Sequence, residues 1–332
     1  MHLTLVQCQQ LLPQSRRELI QSGADEVHEF KIDDKSGVLI FSSGQQYFIA
    51  PFVKDPEYRR AQAFDCVSAK LLSNPLPAGL SSTFKIGNYK NERVITADQS
   101  NQSVVVDENV IIKWQLVAKL SQDAKKQELL SKNGFNYLPE LLGNIYWNDY
   151  LVASVNRYIK AAEDGWSWCV EYAKQGDYGT WVNDLAELTT QMHLALAGQI
   201  HGDFHVGQIL KTKDSQKLWV IDFEGDPLGA NQEQSNQLRD VASMCVSFFH
   251  VGAVAIKYGS DTNSIKKWIL DTQGKFLSKY FGSKAFDLGQ LHNQMRALED
   301  RELEYADKFL NYWRYAPEFA IKYMEELGYG SS

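Results

Sequence analysis

The sequence predicts an α+β fold whose first half is built of short antiparallel strands and whose second half is mostly helical. Three observations point there. Alternating or wholly apolar runs of strand length recur between turn residues over 26–50, 93–114 and 144–155. From residue 177 onward apolar side chains recur at spacings of three and four, as Trp181, Leu185, Leu188, Met192 and Leu196 do. Within this helical half, residues 200–227 read as loop, short strand, turn, short strand and acidic turn.

The elements follow in order. Gln10–Ser22 has helical spacing through Leu11, Leu12, Leu19 and Ile20. Glu26–Ile32 alternates, Gly37–Phe41 and Gln46–Ala50 are buried-strand runs, and Asp33–Gly37 and Ser42–Gly44 supply the turns of a meander. Pro56–Leu72 is expected as a helix: Asp55 is placed to cap it, Pro56 suits its first turn, and Ala61, Phe64, Val67 and Leu71 line one face. Strands Arg93–Ala97 and Ser103–Asp107 flank the polar loop Asp98–Gln102, and Val110–Trp114 follows with Lys113 on it. A helix is expected over Leu116–Asn133, then strands Asn144–Trp147 and Tyr150–Val155. Helices are expected over 177–198, Ser235–Tyr258, Asp261–Tyr280 and Asp287–Asn311.

The chain of 332 residues suits one two-lobed protein or two modest domains. Apolar content of 44% and charged content of 23% are those of an ordinary globular protein. A net charge of −7 with no basic run gives neither a nucleic-acid nor an anionic-lipid surface, so any phosphate binding has to be local. Cys8, Cys66, Cys169 and Cys245 are far apart and form no Cys-x-x-Cys, which points away from a disulfide framework or a zinc knuckle. The start MHLTLVQCQQ lacks a charged segment followed by an apolar run, and no run of about eighteen apolar residues occurs. The expectation is a reduced, cytoplasmic protein without a membrane span.

The chemistry concentrates in Ile200–Pro227. Gln208–Lys211 and Lys217–Ile221 are short apolar runs around a turn-rich Thr212–Gln216, so a hairpin brings Asp203 and Gln208 to face Asp222 and Glu224. Convergent oxygen donors suit a hard cation such as Mg²⁺. Protein kinases place a catalytic Asp and a metal-binding Asn five residues apart, followed by a metal-binding Asp-Phe-Gly. Asp203 and Gln208 have that spacing, and Asp222-Phe223-Glu224 has that place. Zinc is a rival because His201 and His205 are four apart, but Gly202 and the flanking turn argue against the helix such a pair needs. In the same comparison Lys113 is the candidate lysine for the α- and β-phosphates. The loop before it has no glycine, so Ser100, Asn101, Gln102 and Ser103 would offer hydroxyls, amides and backbone N–H groups instead.

The His-Gly-Asp-x-His-x-x-Gln loop with its Asp-Phe-Glu turn resembles the catalytic core of the aminoglycoside phosphotransferase and maltokinase group of small-molecule kinases, above all its maltokinase and glucosamine-kinase members. The Gln-Ser-Asn-x-Ser-Val-Val run, the Asp164-Gly-Trp helix entry and Leu238-Arg-Asp-Val-Ala resemble that group too. The resemblance implies a bilobal protein-kinase-like fold with a small cap (1–90), a nucleotide lobe (91–155) and a helical lobe (156–332). It implies ATP and Mg²⁺ as cofactors, Asp203 as base, and Gln208 and Asp222 as metal ligands, with Glu224 as a further one. Glu128, or alternatively Asp123, is the acidic partner of Lys113, and Val155–Ile159 is the hinge, with Arg157 and Ile159 beside the adenine.

The substrate end of the chain carries Asp300, Glu304 and Asp307 on one helical face, followed by Trp313. This is either a solvated acidic face or a pocket for a sugar bearing an amine, carboxylates pairing the ammonium and a ring packing on the sugar. Glu-Tyr-Ala…Trp-Arg-Tyr-x-Pro-Glu looks more like the glucosamine-kinase branch, which makes glucosamine the expected substrate. Maltose and an aminoglycoside are the alternatives within the class, and a nucleotide-binding pseudokinase is the alternative outside it.

Overall fold

The computed structural model describes residues 2–95, 101–120, 123–223, 225 and 236–329. The chain divides into two compact units, one of residues 1–125 with 139–160 and one of 126–138 with 161–332.

The first unit is a curled antiparallel sheet. Two short helices, α1 (Leu5–Gln10) and α2 (Gln14–Arg17), precede β1 (Glu26–Lys31), β2 (Ser36–Ser43), β3 (Gln46–Lys54) and β4 (Tyr58–Arg60). Helix α3 (Val67–Ser73) and the short strands β5 (Ser81–Ser82) and β6 (Glu92–Val94) come next. Strands β7 (Gln102–Val106) and β8 (Val110–Leu120), helix α4 (Asp123–Lys132), and strands β9 (Leu141–Trp147) and β10 (Tyr150–Arg157) complete the series. The order along the sheet is β1-β2-β3-β8-β10-β9-β5, with β4 on β3 and β7 between β6 and β8. The pair Phe48↔Val117 joins the meander of residues 26–54 to the later strands, so both belong to one sheet of ten strands. The apolar run in β2 is explained by its two covered faces: Val38 and Ile40 enter one core with Trp114 and Trp147, while Leu39 and Phe41 enter another with Leu3 and Leu11.

Three expectations are corrected here. The single helix over Gln10–Ser22 is absent, because Pro13 is extended and starts a separate turn of helix. The helix over Pro56–Leu72 is present only from Val67, since residues 58–60 pair with β3 and Tyr58 packs its ring on Phe52. The helix expected from Leu116 starts at Asp123, because β8 runs on to Leu120 in register with β10.

The second unit holds the small sheet of β11 (Ala162–Asp164), β12 (Ile209–Thr212) and β13 (Leu218–Val220). Around it stand α5 (Gly165–Gln175), α6 (Thr180–Ala195), α7 (Gln237–Lys257), α8 (Thr262–Phe281), α9 (Leu288–Phe309) and α10 (Tyr315–Glu326). Side-chain caps start several of them: Asp164 accepts from the Ser167 amide, Asp261 from that of Ser264 and Asp287 from that of Gln290. Helix α7 is apolar enough in length and composition to cross a membrane, yet 78% of that window is buried against its neighbours in this unit. Its side chains Val241, Cys245, Phe248 and Phe249 form the middle of the core.

Candidate active site

The site is built on the loop between α6 and β12. Gly202 takes a φ of +95°, open to glycine at little cost, and so turns two successive N–H groups toward one carboxylate. That carboxylate is Asp240 on α7, which accepts from the His201 amide at 2.7 Å and the Gly202 amide at 2.9 Å. The tie between this helix and the loop is therefore structural and is made by Asp240. Burial alone would raise its pKa, but the hydrogen bond and charge of His193, with further help from His201, hold it below the ordinary value.

His201 shapes the loop from within. Its ring packs on Phe204 and Phe223, with centroids 5.4 and 4.7 Å apart, and its Nε2 donates to the Ile221 carbonyl at 3.1 Å. Burial lowers its pKa, so it is a neutral structural group, and the charges of both Asp203 and Asp222 are felt at its ring. The hairpin register pairs Ile209 with Val220, and the Ile221 amide donates to the Gln208 carbonyl at 3.0 Å. Gln208 and Asp222 thus flank the same end of the hairpin. Asp222 has a φ of +63°, a strained conformation that Asp tolerates better than most residues and that clusters at functional sites. Glu224 and Ser100 lie outside the described residues, and so does the side chain of Asp123.

Asp203, Gln208 and the intervening His205 form one row. Asp203 Oδ2 lies 3.7 Å from His205 Nε2, and the Gln208 amide nitrogen is 3.3 Å from the same ring atom. Burial pushes the Asp203 carboxyl up, but the charge of His205 and the hydrogen bond to it leave it below the ordinary carboxylate value. In turn burial lowers His205, while Asp203 and the charge of Glu302 more than offset this. Among the described residues no three His, Cys, Asp or Glu side chains come together as metal ligands. The oxygen set of Asp203, Gln208 and Asp222 includes an amide and suits a hard cation rather than zinc.

On the far side of His205 stands an aromatic and acidic wall. Trp166 lies 5.8 Å from the His205 ring and 5.6 Å from that of Trp313, and Trp313 is 5.8 Å from His250. His250 Nε2 is 2.9 Å from Glu299 Oε2, both side chains being buried, while Glu299 Oε1 has no hydrogen-bond partner among the described residues. Burial raises Glu299, and the attraction of His250 pulls it back only in part. The predicted acidic face is placed elsewhere. Asp300, Glu304 and Asp307 are exposed and are ion-paired with Arg296 at 3.0 Å, Lys308 at 2.6 Å and Arg314 respectively. At about 100° per residue, Glu299 lies roughly a third of a turn, and Glu302 nearly half a turn, round from that face. On the same acidic helix, Glu299 meets His250 from another face.

The nucleotide residues are placed as follows. Lys113 on β8 pairs in register with Ser103 on β7, and Ser103 is buried. Asn101 is buried and its Oδ1 accepts from the Leu116 amide at 3.3 Å, a sheet-edge role. Arg157 is engaged with Glu140 at 3.1 Å and Asn109 at 3.0 Å, and Ile159 is half-buried beyond the end of β10. Glu128 is exposed on α4. The residue that the sequence reading missed there is Lys126, buried, whose ammonium donates to the His201 carbonyl at 3.0 Å. Its only local signal is that it shares a helix face with the apolar Leu130.

Helix α5 is seated directly on the loop. A Cβ on Gly165 would stand 1.6 Å from the Val206 carbonyl oxygen, a backbone atom that cannot yield cheaply. Gly165→Ala is expected to cost about 2–3 kcal/mol of stability and to depress turnover; thermal unfolding and steady-state kinetics check both, and a variant unchanged in each would show that this close approach is not needed.

No family model matches the chain. The chain is similar to the glucosamine kinase of Streptacidiphilus jiangxiensis, 28% identical over 319 aligned positions covering 69% of this chain and 72% of that protein. It is also similar to the glucosamine kinase of Mycolicibacterium smegmatis, 25% identical over 380 aligned positions covering 84% of this chain and 93% of that protein. A solved glucosamine kinase superposes with a TM-score of 0.77 at 23% identity, covering 93% of this chain and 95% of that one. Another, in complex with glucosamine, ADP and inorganic phosphate, superposes with a TM-score of 0.69 at 23% identity over 90% and 93% of the two chains. At that identity the structural likeness is one of fold, a kinase-like α+β architecture. Along most of its sequence the chain is thus similar to relatives named glucosamine kinase, and it shares the fold of a solved glucosamine kinase.

Proposed function

We propose that this chain phosphorylates glucosamine with ATP. The observation that carries the reading is His205, which lies beside Asp203 on one side and Trp166 on the other, Trp166 in turn meeting Trp313, while the charge of Glu302 is felt at the His205 ring. A base thus adjoins aromatic faces suited to a sugar ring and a carboxylate suited to its ammonium. Asp203 takes the proton of the attacking sugar hydroxyl as the bond to the γ-phosphorus forms and the bond to ADP breaks. Gln208 and Asp222, with Glu224 as a further ligand, would hold Mg²⁺, which when bound neutralises charge on the β- and γ-phosphates. Lys113 and Ser103 contact the nucleotide, and Arg157 and Ile159 contribute through their backbone. Residues 1–90 form the cap, 91–155 the nucleotide lobe and 156–332 the helical lobe. Four unpaired cysteines, three of them buried, fit a reduced cytoplasmic setting.

The test is ATP consumption on glucosamine, glucose, maltose and an aminoglycoside at equal concentration. Glucosamine is expected to lead, and faster turnover on maltose or the aminoglycoside would overturn the substrate. Glu302→Gln is expected to raise KM for glucosamine about tenfold, the worth of one charge-assisted hydrogen bond, with KM for ATP unchanged. Equal KM in the variant and the parent would remove Glu302 from the pocket, leaving Trp166 and Trp313.

A further inference from the structure

Behind Asp240 runs a row of side chains that the catalytic reading does not use. The Tyr280 hydroxyl is 2.7 Å from His193 Nδ1, and His193 Nε2 is 3.0 Å from Asp240 Oδ2. His193 and Asp240 are fully interior, on α6 and α7, and Tyr280 reaches them from α8. The polarity of the row follows from chemistry. The Asp240 carboxylate already accepts two backbone N–H groups and has only lone pairs to offer, so His193 carries its proton on Nε2. Nδ1 is then an acceptor, and the Tyr280 hydroxyl donates to it. From Asp240 the row continues through the backbone of His201 and Gly202, and the His201 ring bonds the carbonyl that immediately precedes Asp222.

We infer that His193 and Tyr280 are positioning residues that set the orientation of the catalytic loop through Asp240; the inference rests on Asp203 being the base. The two backbone N–H groups hold one carboxylate oxygen each, but both come from the loop that has to be positioned. A third donor from a different helix fixes the carboxylate's plane, and with it the two amides just ahead of Asp203. The carboxylate fixes the tautomer and Tyr280 fixes the ring: without a donor at Nδ1, the imidazole is free to rock and its bond to the carboxylate loses its alignment. The hydroxyl has no packing role of its own. The ring rests on Phe276 and Phe281, with centroids 6.2 and 4.9 Å away, and its rim faces a cavity of about 410 Å³ that Gly198, Gln237 and Leu238 also line. Removing the oxygen therefore opens no hole in the core.

The experiment compares Tyr280→Phe, His193→Leu, His193→Gln and Asp203→Asn in the full chain. It reads kcat, KM for sugar and for ATP, thermal midpoint, and the ring-nitrogen NMR shifts of His193. Tyr280→Phe should lower kcat roughly tenfold and His193→Leu roughly a hundredfold, the scale of an ångström's misplacement, with both KM values within about twofold. His193→Gln should recover most of the loss, because its amide N–H can reach Asp240 while its oxygen accepts from Tyr280. In the parent, His193 should show the Nε2–H tautomer with an Nδ1 shift that marks the Tyr280 hydrogen bond, and Tyr280→Phe should keep the tautomer and lose that mark. Unchanged kcat in Tyr280→Phe and His193→Leu alongside an inactive Asp203→Asn would overturn the inference, as would a Gln variant no better than Leu. Full turnover in Asp203→Asn would instead bring down the base assignment on which it stands.

Discussion

Asp203→Asn should lower kcat by about two to four decades, the usual share of a positioned general base. The substitution is nearly isosteric, and the loop is held by groups other than the Asp203 side chain: Asp240 grips the amides of His201 and Gly202, and the His201 ring bonds Ile221. The thermal midpoint should therefore stay close to that of the parent, and so should KM for ATP. The pH profile adds a second check. Burial tends to raise the Asp203 carboxyl, but His205 beside it more than compensates, so the group is ionised throughout the neutral range. Turnover should then hold steady as pH falls from neutral toward the usual carboxylate range, and drop only below it. Retained turnover in the variant, or a loss of activity with protonation near neutrality, would rule out Asp203 as the base in this form.

Much of this centre was legible in the sequence because its signals are local. The spacing of Asp203 and Gln208, the turn between two short apolar runs and the Asp-Phe-Glu that follows all fall within a single hairpin, and the register Ile209↔Val220 closes it as those runs require. What was not legible depends on partners far away in sequence. Tyr58–Arg60 have helical company on either side, yet pairing with β3 decides their conformation. Residues after Leu116 fit a helix by composition, yet β10 offers them a ladder and they take it. The acidic helix α9 shows the same limit at the level of side chains. Its charge was plain, but which third of its circumference faces the histidines depends on α7 and the catalytic loop. A buried lysine such as Lys126 signals itself only by an apolar neighbour on its helix face, and the pairing of Asp240 with His193 depends on how two distant helices meet.

Asp222→Asn is the second substitution with a large expected effect, and its design follows from the backbone. Asp222 sits at a φ of +63°, where Ala would add strain of about 1–2 kcal/mol and confuse a metal effect with a folding one. Asn tolerates that conformation and keeps one oxygen, but it removes the charge that a hard cation seeks. The expected outcome is a fall in kcat of roughly a hundred- to a thousandfold, scaled from what the loss of one transition-state charge stabiliser costs, with a higher Mg²⁺ requirement for half-maximal rate. Chelation of the parent with EDTA should abolish turnover, and added Mg²⁺ should restore it. Gln208→Ala gives the graded companion: a neutral amide ligand is worth less than a carboxylate, so its loss should be smaller than that of Asp222→Asn at saturating Mg²⁺ and grow as Mg²⁺ is lowered. Full turnover in EDTA would sink the metal assignment outright. Equal Mg²⁺ dependence in the parent and both variants would show that the hairpin end does not hold the ion.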